Sequence, residues 1–412
     1  MTHDVHLRDA AWLRDGAVAR LLALLDRDGE EARVVGGAVR NALLGMPVEE
    51  VDVATTALPE EVVRRVEAAG CKAVPTGIAH GTVTVIVDHT PVEVTTLRED
   101  VETFGRKARV AFGRGWKADA ERRDFTINAL SARADGIVFD YVGGLADIAA
   151  RRVRFIGDPL QRIAEDYLRI LRFFRFQAWF GGGPPEAASL HACIASRAGL
   201  ETLSRERVRM ELMKLLLAPR ATATLAAMAE SGLLGMVLGG VPLLAGFENM
   251  VKVEDKTATA PDAVRRLGAL AVWVAEDAER LAQRLRLANA ETERLEALEA
   301  WWRVTPAAGE PAARALLYQL GAQSYVDRVL VAWARSAASA GDAAWSALAT
   351  LPRRWTAPVF PLKAADFFHR GMVAGPALGA AMRAAEAAWI AADFPEHVAA
   401  LEAIADDAAR MK

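Results

Sequence analysis

Hydrophobic and polar residues follow two different spacings along the chain, and the change between them lies near residue 147. In the first part, short β-branched runs are typical of strands, and Asp88-His89-Thr90-Pro91 between two such runs predicts a hairpin turn. Helical spacing is present over Leu7–Arg27, Ala38–Gly45 and Pro59–Ala69. The predicted strands are Arg33–Val35, Val51–Ala54, Gly81–Asp88, Val92–Leu97 and Ile137–Tyr141.

Beyond Asp147 the strand signals end, and Ala, Leu, Arg and Glu recur at helical spacing. Leu160–Phe180 is a strongly helical stretch. Glycine and proline interrupt the pattern at 181–185, 235–242, 306–311 and 352–361. The sequence therefore predicts an α+β domain followed by successive helical modules.

Composition narrows the class of protein. The chain has 412 residues, 52% of them hydrophobic, which is enough for two or more domains with cores of their own. A net charge of −3 gives no global attraction for nucleic acid, so any such surface must be local. Two cysteines are too few for a disulfide framework or a zinc site. With no secretion signal and no membrane-length apolar run, we expect a cytoplasmic protein with no membrane partner.

A glycine pair, Gly36 and Gly37, lies between a predicted strand and a predicted helix that contains Arg40. Glycine lets the backbone approach a ligand closely, and the N–H groups at a helix start favour a phosphate. The pair therefore predicts a nucleotide-binding turn.

Three carboxylates follow in β-rich segments. Glu50 and Asp52 are two residues apart, so both project from one sheet face, and Glu93 points away from the apolar face of a neighbouring strand. Converging carboxylates repel one another unless cations lie between them, and Mg²⁺ prefers carboxylates together with substrate phosphates. The alternative is a solvated strand face. Beside the glycine pair, the three predict a catalytic centre for nucleotidyl transfer, with Glu50 and Asp52 as the metal ligands.

Two further charged segments point to a nucleotide. Arg123 and Asp124 are either part of a charged turn or ligands of a triphosphate and a ribose hydroxyl, because an arginine fork bonds two phosphate oxygens at once. Asp166 and Arg169 have the spacing of an ion pair within one helix. Alternatively, Asp166 accepts a hydrogen bond from a base amino group while Arg169 donates to a ring nitrogen.

The second interpretation of Asp166 and Arg169 makes a definite choice among bases. Cytosine and adenine present an amino group next to a ring acceptor, whereas uracil and guanine present a carbonyl next to an N–H group. One Asp/Arg pair therefore accepts C and A and rejects U and G. Arg172 and Arg175 follow round the same predicted helix, where they either meet phosphates or form a solvated basic edge.

In this order, the motifs resemble those of the bacterial class II tRNA nucleotidyltransferases (CCA-adding enzymes) and their poly(A) polymerase relatives, in the DNA polymerase β superfamily. The resemblance covers roughly the first half of the chain. It runs through Gly36–Gly45, Glu50–Thr56, Thr76–Val85, Glu93–Thr96, Arg122–Leu130, Asp140–Asp147, Glu165–Phe176 and Ser204–Glu211.

The resemblance implies a fold: an α+β, polymerase-β-like nucleotidyltransferase head with a mixed sheet, followed by an all-α neck, body and tail. The implied boundaries are 1–145 for the catalytic head, 146–220 for the neck, 221–305 for the body and 306–412 for a tail that binds tRNA. Leu97–Asp119, with Gly105, Gly113 and Gly115, corresponds to a flexible loop that helps the family switch from C to A addition.

The resemblance also implies roles for individual residues. Asp52 is a metal-binding aspartate, Glu50 replaces its usual aspartate partner, and Glu93 is the third carboxylate. The remaining implied nucleotide contacts are Gly37 and Arg40 on the phosphates, Arg123 and Asp124 on phosphate and ribose, and Asp166, Arg169, Arg172 and Arg175 in the template that selects C or A. Asn41 is a second departure, because many relatives carry aspartate there.

The implied activity is addition of CCA to the 3′ end of tRNA from CTP and ATP by two-metal nucleotidyl transfer with Mg²⁺, and the oligomeric state stays open. Candidate tRNA contacts are the neck arginines with Arg205, Arg207, Arg209 and Lys214. Four alternatives remain: an A-adding enzyme, a CC-adding enzyme, a poly(A) polymerase and a non-catalytic RNA-binding relative. The last is motivated by Glu50.

Overall fold

The structure is a computed structural model that describes residues 2–77, 81–104 and 107–410. Its contacts divide the chain into two compact units, Met1–Val237 and Leu238–Lys412. The finer division at 145, 220 and 305 stays a prediction. Gly105 of the predicted loop and residues 78–80 of the Thr76–Val85 motif lie outside the described residues.

The first unit contains a mixed sheet of eight strands and a separate two-stranded sheet. The order across the large sheet is β1-β10-β9-β2-β3-β6-β5-β4, in which β3 and β6 are parallel. The strands are β1 (Thr2–His6), β2 (Ala32–Val35), β3 (Asp52–Thr55), β4 (Lys72–Gly77), β5 (Thr82–Val87), β6 (Thr90–Thr96), β7 (Arg98–Phe104), β8 (Lys107–Phe112), β9 (Ser131–Ala132) and β10 (Ile137–Phe139).

After β10 every described element is helical, which confirms the predicted change of spacing. The helices are α1 (Ala11–Arg14), α2 (Gly16–Leu25), α3 (Gly37–Leu43), α4 (Pro59–Ala68), α5 (Trp116–Glu121), α6 (Gly144–Ala149), α7 (Pro159–Glu165), α8 (Leu168–Phe180), α9 (Ala187–Ala195), α10 (Arg205–Leu216), α11 (Ala221–Glu230), α12 (Leu233–Leu238), α13 (Leu244–Lys256), α14 (Ala263–Ala271), α15 (Ala275–Leu285), α16 (Asn289–Glu296), α17 (Gly309–Arg335), α18 (Ala343–Ala349), α19 (Ala364–Phe368), α20 (Pro376–Ala391) and α21 (Val398–Arg410).

The pairing of β3 with β6 sets the geometry of the carboxylates. Asp52 is directly opposite Glu93 in the parallel register, so the two side chains leave the same face of the sheet. Val53 and Val94 point to the other face and are fully buried. The predicted hairpin before β6 is confirmed: Asp88 and His89 have φ values of 48° and 65°, as a two-residue turn between right-twisted strands requires.

An aromatic cluster joins the end of the head to α8. The ring of Phe125 lies 4.8 Å from Phe155 and 5.1 Å from Phe176, and Phe155 lies 5.7 Å from Phe173. Phe125, Phe155 and Phe173 are fully buried. Because Phe125 follows Arg123 and Asp124 directly, the cluster holds that segment against α8.

Several predicted elements differ from the observed ones. Leu7–Arg27 contains two helices, because Asp15 is extended (φ −131°, ψ 158°) and Gly16 has a φ of 81°, so the helical path breaks between α1 and α2. Leu160–Phe180 is also not one helix: Asp166 is extended, with φ −156° and ψ 107°, between α7 and α8. The segment Leu97–Asp119, predicted as a loop, contains β7, β8 and part of α5.

The second unit is helical and contains buried charges. Glu254 of α13 accepts hydrogen bonds from Arg265 (2.8 Å) and Arg266 (2.7 Å) of α14. Arg265 also donates to Asp327 of α17 at 3.2 Å, and Arg294 of α16 donates to the same carboxylate at 2.8 Å. These contacts join four helices. Within the described part of the chain, no helix combines the length and the apolar character needed to cross a bilayer.

Candidate active site

One open cleft of about 720 Å³ in the first unit is lined by every residue that the sequence analysis proposed as catalytic or nucleotide-binding. The sheet supplies one side of it, and helices α8 and α10 supply the other. The proposed residues in its walls are Gly36, Gly37, Arg40, Glu50, Asp52, Glu93, Arg123, Asp124, Asp166, Arg169, Arg172 and Arg175.

The sheet side of the cleft presents Asp52 and Glu93 to solvent. Partial desolvation raises the pKa of Asp52 above its ordinary value, and the negative charges of Glu93 and Glu50 raise it further, while Arg123 opposes them. A carboxylate whose ionised form is disfavoured in this way is stabilised by any cation that arrives beside it.

Glu50 is placed differently from the prediction. It lies in the segment before β3, which begins only at Asp52, and it is exposed. Among the described residues, no three His, Cys, Asp or Glu side chains are grouped so that they could hold a metal ion. The predicted convergence of three carboxylates is therefore not observed. The register brings Asp52 and Glu93 together, and Glu50 lies at the cleft wall.

The glycine pair forms the turn between β2 and α3. Gly36 has a φ of 71°, and a Cβ at this position would lie 3.1 Å from Nη1 of Arg123. Both the backbone conformation and the approach of Arg123 therefore favour glycine. Gly37 begins α3, as the predicted strand–turn–helix arrangement requires.

Arg40 lines the cleft but is 8% exposed. Its guanidinium donates to the side-chain oxygens of Asn128 and Asn41 and lies 4.0 Å from the ring centre of Phe180. Burial and the positive charge of Arg175 lower the pKa of Arg40 to about 10. Asn41 therefore supplies a neutral acceptor where a relative's aspartate would supply a charge, and a direct contact of Arg40 with phosphate stays a prediction.

Asp119 orients the two arginines that precede Asp124. It is 4% exposed and accepts hydrogen bonds from Arg122 and Arg123, the latter at 3.2 Å. Asp119 lies at the end of the predicted loop, and its spacing predicted no role for it. In the structure, its carboxylate holds the side chains of Arg122 and Arg123, and both arginines line the cleft.

Asp124 is already engaged by protein groups. Its carboxylate accepts from the backbone N–H of Phe125 at 2.9 Å, from Asn128 at 3.1 Å and from Arg172 at 2.8 Å. Burial alone would raise the pKa of Asp124, but the charge of Arg172 and these hydrogen bonds hold it below the ordinary value. Asp124 thus fixes Arg172, and its contact with ribose stays a prediction.

Asp166 and Arg169 both line the cleft but do not form the helical ion pair considered above. Asp166 pairs with Arg207 of α10, at 2.6 and 3.2 Å, while Arg169 donates to the backbone carbonyl of Arg162 at 2.7 Å and contacts Glu165. Because Asp166 precedes α8, its direction is set by the junction between α7 and α8. Arg207, predicted as a tRNA contact, therefore lies in the cleft and pairs with Asp166.

A second residue of α10, Glu211, helps to orient Arg175 and Arg172. It is 7% exposed, contacts Nε of Arg175 and lies 3.8 Å from Arg172. Glu211 belongs to the Ser204–Glu211 motif, but nothing in its spacing indicated which helix it would face.

The cleft has the opposite charge balance to the whole chain. Its lining residues include eight arginines and five carboxylates, whereas the complete chain has a net charge of −3. The cleft is therefore a local basic surface, the form that any surface for nucleic acid was expected to take in this chain. A polyanion such as a triphosphate fits such a cleft, because arginine forks bind phosphate oxygens in pairs.

The sheet, the glycine turn and the paired carboxylates together define a nucleotidyltransferase head domain. Comparison with known protein families gives the same class. Residues 32–154 match the "Poly A polymerase head domain", and residues 185–245 match the "Probable RNA and SrmB- binding site of polymerase A". The head match contains the glycine turn, both strand carboxylates and the Arg123–Asp124 segment.

The similar proteins described next are all CCA-adding enzymes or CCA tRNA nucleotidyltransferases. A CCA-adding enzyme of Limosilactobacillus fermentum is 32% identical over 88% of this chain and 89% of its own length. A mitochondrial CCA tRNA nucleotidyltransferase of Danio rerio is 40% identical, over 67% of this chain and 64% of its own. The crystal structure of a Bacillus stearothermophilus CCA-adding enzyme in complex with CTP is similar with a TM-score of 0.73, at 29% identity, over 91% of this chain and 92% of that one.

The chain belongs to the CCA-adding enzyme family of tRNA nucleotidyltransferases. Its matches span just under two thirds of the length of the three mitochondrial relatives.

Proposed function

We propose that this protein adds C and A to the 3′ end of tRNA, using CTP and ATP and releasing pyrophosphate. The observation that supports this most directly is the single cleft, in which a carboxylate pair, a set of arginines and the Asp166–Arg169 segment face one space. Selective addition of C and A needs all three: a metal site and a triphosphate site for the transfer step, and a means of selecting the base.

The carboxylate pair fits a divalent cation. Asp52 and Glu93 leave the same sheet face, and partial desolvation together with the negative charge of Glu93 raises the pKa of Asp52. Mg²⁺ is typically held by one or two carboxylates together with substrate phosphates, so a pair is sufficient. Asp52, Glu93 and, from the neighbouring segment, Glu50 would hold it. Such an ion polarises the transferred phosphoryl group and lowers the pKa of the attacking hydroxyl.

The protein's own residues provide positioning. Arg123 lies next to the glycine turn, Arg172 is fixed by Asp124, and Arg175 is fixed by Glu211. A bound triphosphate would meet guanidinium groups that are already oriented, so little side-chain entropy is lost on binding. Glu93 lies opposite Asp52, where it can accept the proton of the 3′-hydroxyl.

Base selection would fall to Asp166 and Arg169 at the helical side of the cleft. The aspartate accepts from the amino group of C or A, and the arginine donates to the adjacent ring nitrogen. Uracil and guanine would place an acceptor against an acceptor and a donor against a donor.

The helical part beyond the head would bind tRNA, chiefly through shape and phosphate contacts. The match of residues 185–245 to an RNA-binding region supports this. Arg205, Arg209 and Lys214 of α10 stay candidate contacts, and Lys214 is exposed. Binding by phosphate contacts weakens steeply as salt rises.

Purified protein incubated with tRNA lacking its CCA end, Mg²⁺ and one labelled nucleotide at a time tests the proposal. We expect incorporation of C, and of A only after C. Incorporation of A or of C alone would indicate an enzyme of narrower activity, and long A tracts would indicate a poly(A) polymerase. No incorporation, with tRNA still bound, would show a non-catalytic RNA-binding relative and would contradict the proposal.

A further inference from the structure

Arg207 reaches into the cleft from α10, 41 positions along the chain from the residue it contacts. Its Nη2 donates to Oδ2 of Asp166 at 2.6 Å and its Nη1 to Oδ1 at 3.2 Å, which is a two-point, fork-to-carboxylate contact. The side chains of Arg207 and Asp166 are 20% and 27% exposed, so the pair remains open to a ligand in the cleft.

We propose that Arg207 is a positioning residue for base selection, which fixes the Asp166 carboxylate and keeps it solely a hydrogen-bond acceptor. The inference rests on the proposed function, in which Asp166 selects the base. Beyond that function, we infer that the choice between bases also depends on Arg207, which need not contact the base itself.

The contact leaves Asp166 able to bind a base. An ionised carboxylate offers about four lone-pair positions on its two oxygens. The hydrogen bonds described here use two positions on Oδ1, for the backbone N–H of Leu168 and for Nη1 of Arg207, and one on Oδ2. Oδ2 therefore retains a position for an amino group, and the planar fork of Arg207 determines where that position points.

Arg207 also lowers the pKa of Asp166. Burial would raise the pKa of this carboxyl, but the hydrogen bonds from Arg207 and Leu168, with the charges of Arg207 and Arg169, hold it below its ordinary value. Arg172 of α8 also interacts electrostatically with Asp166. Removing Arg207 leaves burial less opposed, so we expect the pKa of Asp166 to rise and its protonated fraction to increase as the pH falls.

A protonated Asp166 would weaken base selection in a specific way. Its O–H group can donate to the carbonyl of uracil or guanine and so removes one of the two mismatches that exclude them. The second mismatch, between the donors of Arg169 and the ring N–H, remains. We therefore expect a partial loss of selection that grows as the pH falls.

The test compares kcat/KM for CTP and UTP on tRNA lacking its end, between about pH 5.5 and pH 8, which brackets the acid tail of a raised aspartate pKa. In the unaltered protein the CTP:UTP ratio should stay constant over this range. In Arg207→Met the ratio should fall at least about tenfold toward the acid end, the size expected for one hydrogen-bonding pair. Arg207→Lys, which keeps the charge, should restore a pH-independent ratio.

Two further variants keep the test decisive. Arg207→Gln replaces the methionine variant if that protein does not fold, and the same acid-dependent loss is expected. Arg20→Met removes another arginine–aspartate pair of the same unit, Arg20–Asp88 at 2.9 Å, and should leave the ratio unchanged at every pH. If both neutral variants of Arg207 give a ratio that does not change with pH, the inference is overturned. If the unaltered protein incorporates neither C nor A, the proposed function itself has failed, which is a separate outcome.

Discussion

Arginine–carboxylate pairs occur in both compact units of the chain, but their exposure differs. In the second unit, Arg265, Glu254 and Asp327 have side chains that are only 1–2% exposed. In the cleft of the first unit, the side chains of Arg172 and Asp166 are 33% and 27% exposed. The same chemistry is closed to ligands in one region and open in the other.

The difference shows how one type of contact can serve either stability or recognition. In a fully buried pair, the free-energy cost of desolvation is offset by the attraction and the hydrogen bonds within the protein, and the charged groups are not accessible to a ligand. A cleft pair such as Arg172 with Asp124 orients a guanidinium whose outer face remains wet. Four variants or conditions would break or sharpen this contrast.

The largest effect is expected for Asp52→Asn. Loss of a carboxylate at the reaction centre should lower single-nucleotide incorporation by about 10⁴-fold, or about 5.5 kcal/mol of transition-state stabilisation. Because the pKa of Asp52 is raised in the folded protein, its charge opposes folding at neutral pH, and the neutral amide should not lower the melting temperature. Incorporation assays and thermal unfolding measure the two effects. Near-normal incorporation would show that Asp52 is not part of the reaction centre.

Glu254→Gln should have the reverse pattern. Removing the charge that pairs with Arg265 and Arg266 leaves two buried cations undercompensated, at a cost of about 4 kcal/mol in the free energy of unfolding. Urea unfolding measures the loss. Below the unfolding range, the CTP:UTP ratio should equal that of the unaltered protein, and a change in it would mean that the buried network also serves recognition.

Asp124→Asn tests the cleft counterpart and should cost about 2 kcal/mol, the range for hydrogen bonds to charged groups. The folded-state pKa of Asp124 is lowered, so its stabilisation is fully present above the ordinary value of 3.8 and is lost as the pH falls through the folded value. Unfolding free energies of the variant and the unaltered protein should therefore converge in strong acid. A constant difference at all pH values would show that the charge of Asp124 is not what stabilises the fold.

Addition of Mg²⁺ should have the smallest effect, a stabilisation of about 1.4 kcal/mol at about ten times the dissociation constant. Protons compete with the cation, and the pKa of Asp52 is raised, so this gain should disappear at a higher pH than for an ordinary aspartate. Thermal unfolding with and without Mg²⁺ measures it, with Glu254→Gln as a variant that should keep the gain. Retention of the gain in Asp52→Asn would place the cation elsewhere.

Local patterns were sufficient for part of the sheet side of the cleft, although not for the position of Glu50. The β-branched runs around the Asp88–His89 turn specify a hairpin, and strand alternation puts Glu93 on the face opposite Val92 and Val94. These features depend on neighbours in sequence, where the side-chain period is two. The alternation of residues along β6 does not say which residue of another strand lies opposite Glu93. The parallel pairing of β3 with β6 places Asp52 there.

The helical side was harder to predict because its contacts are distant in sequence. The apolar spacing of Leu160–Phe180 continues through Asp166, so it gives no sign of the break between α7 and α8. Likewise, the burial of Arg40 depends on Asn128, 88 positions away, and the position of Arg207 depends on how α10 packs against α8. Helical periodicity identifies a buried face but not the helix that covers it.

The placement of the two carboxylates on β3 and β6, and of Asp166 and Arg207 on helical segments, has an evolutionary consequence. Under the proposed function, replacements on the helices would change which bases are accepted, while the sheet carboxylates and the transfer chemistry proposed for them stay intact. On that proposal, a few arginine and aspartate replacements would be enough to change the nucleotide sequence that is added, because the groups that select the base and the groups that transfer it lie on different elements.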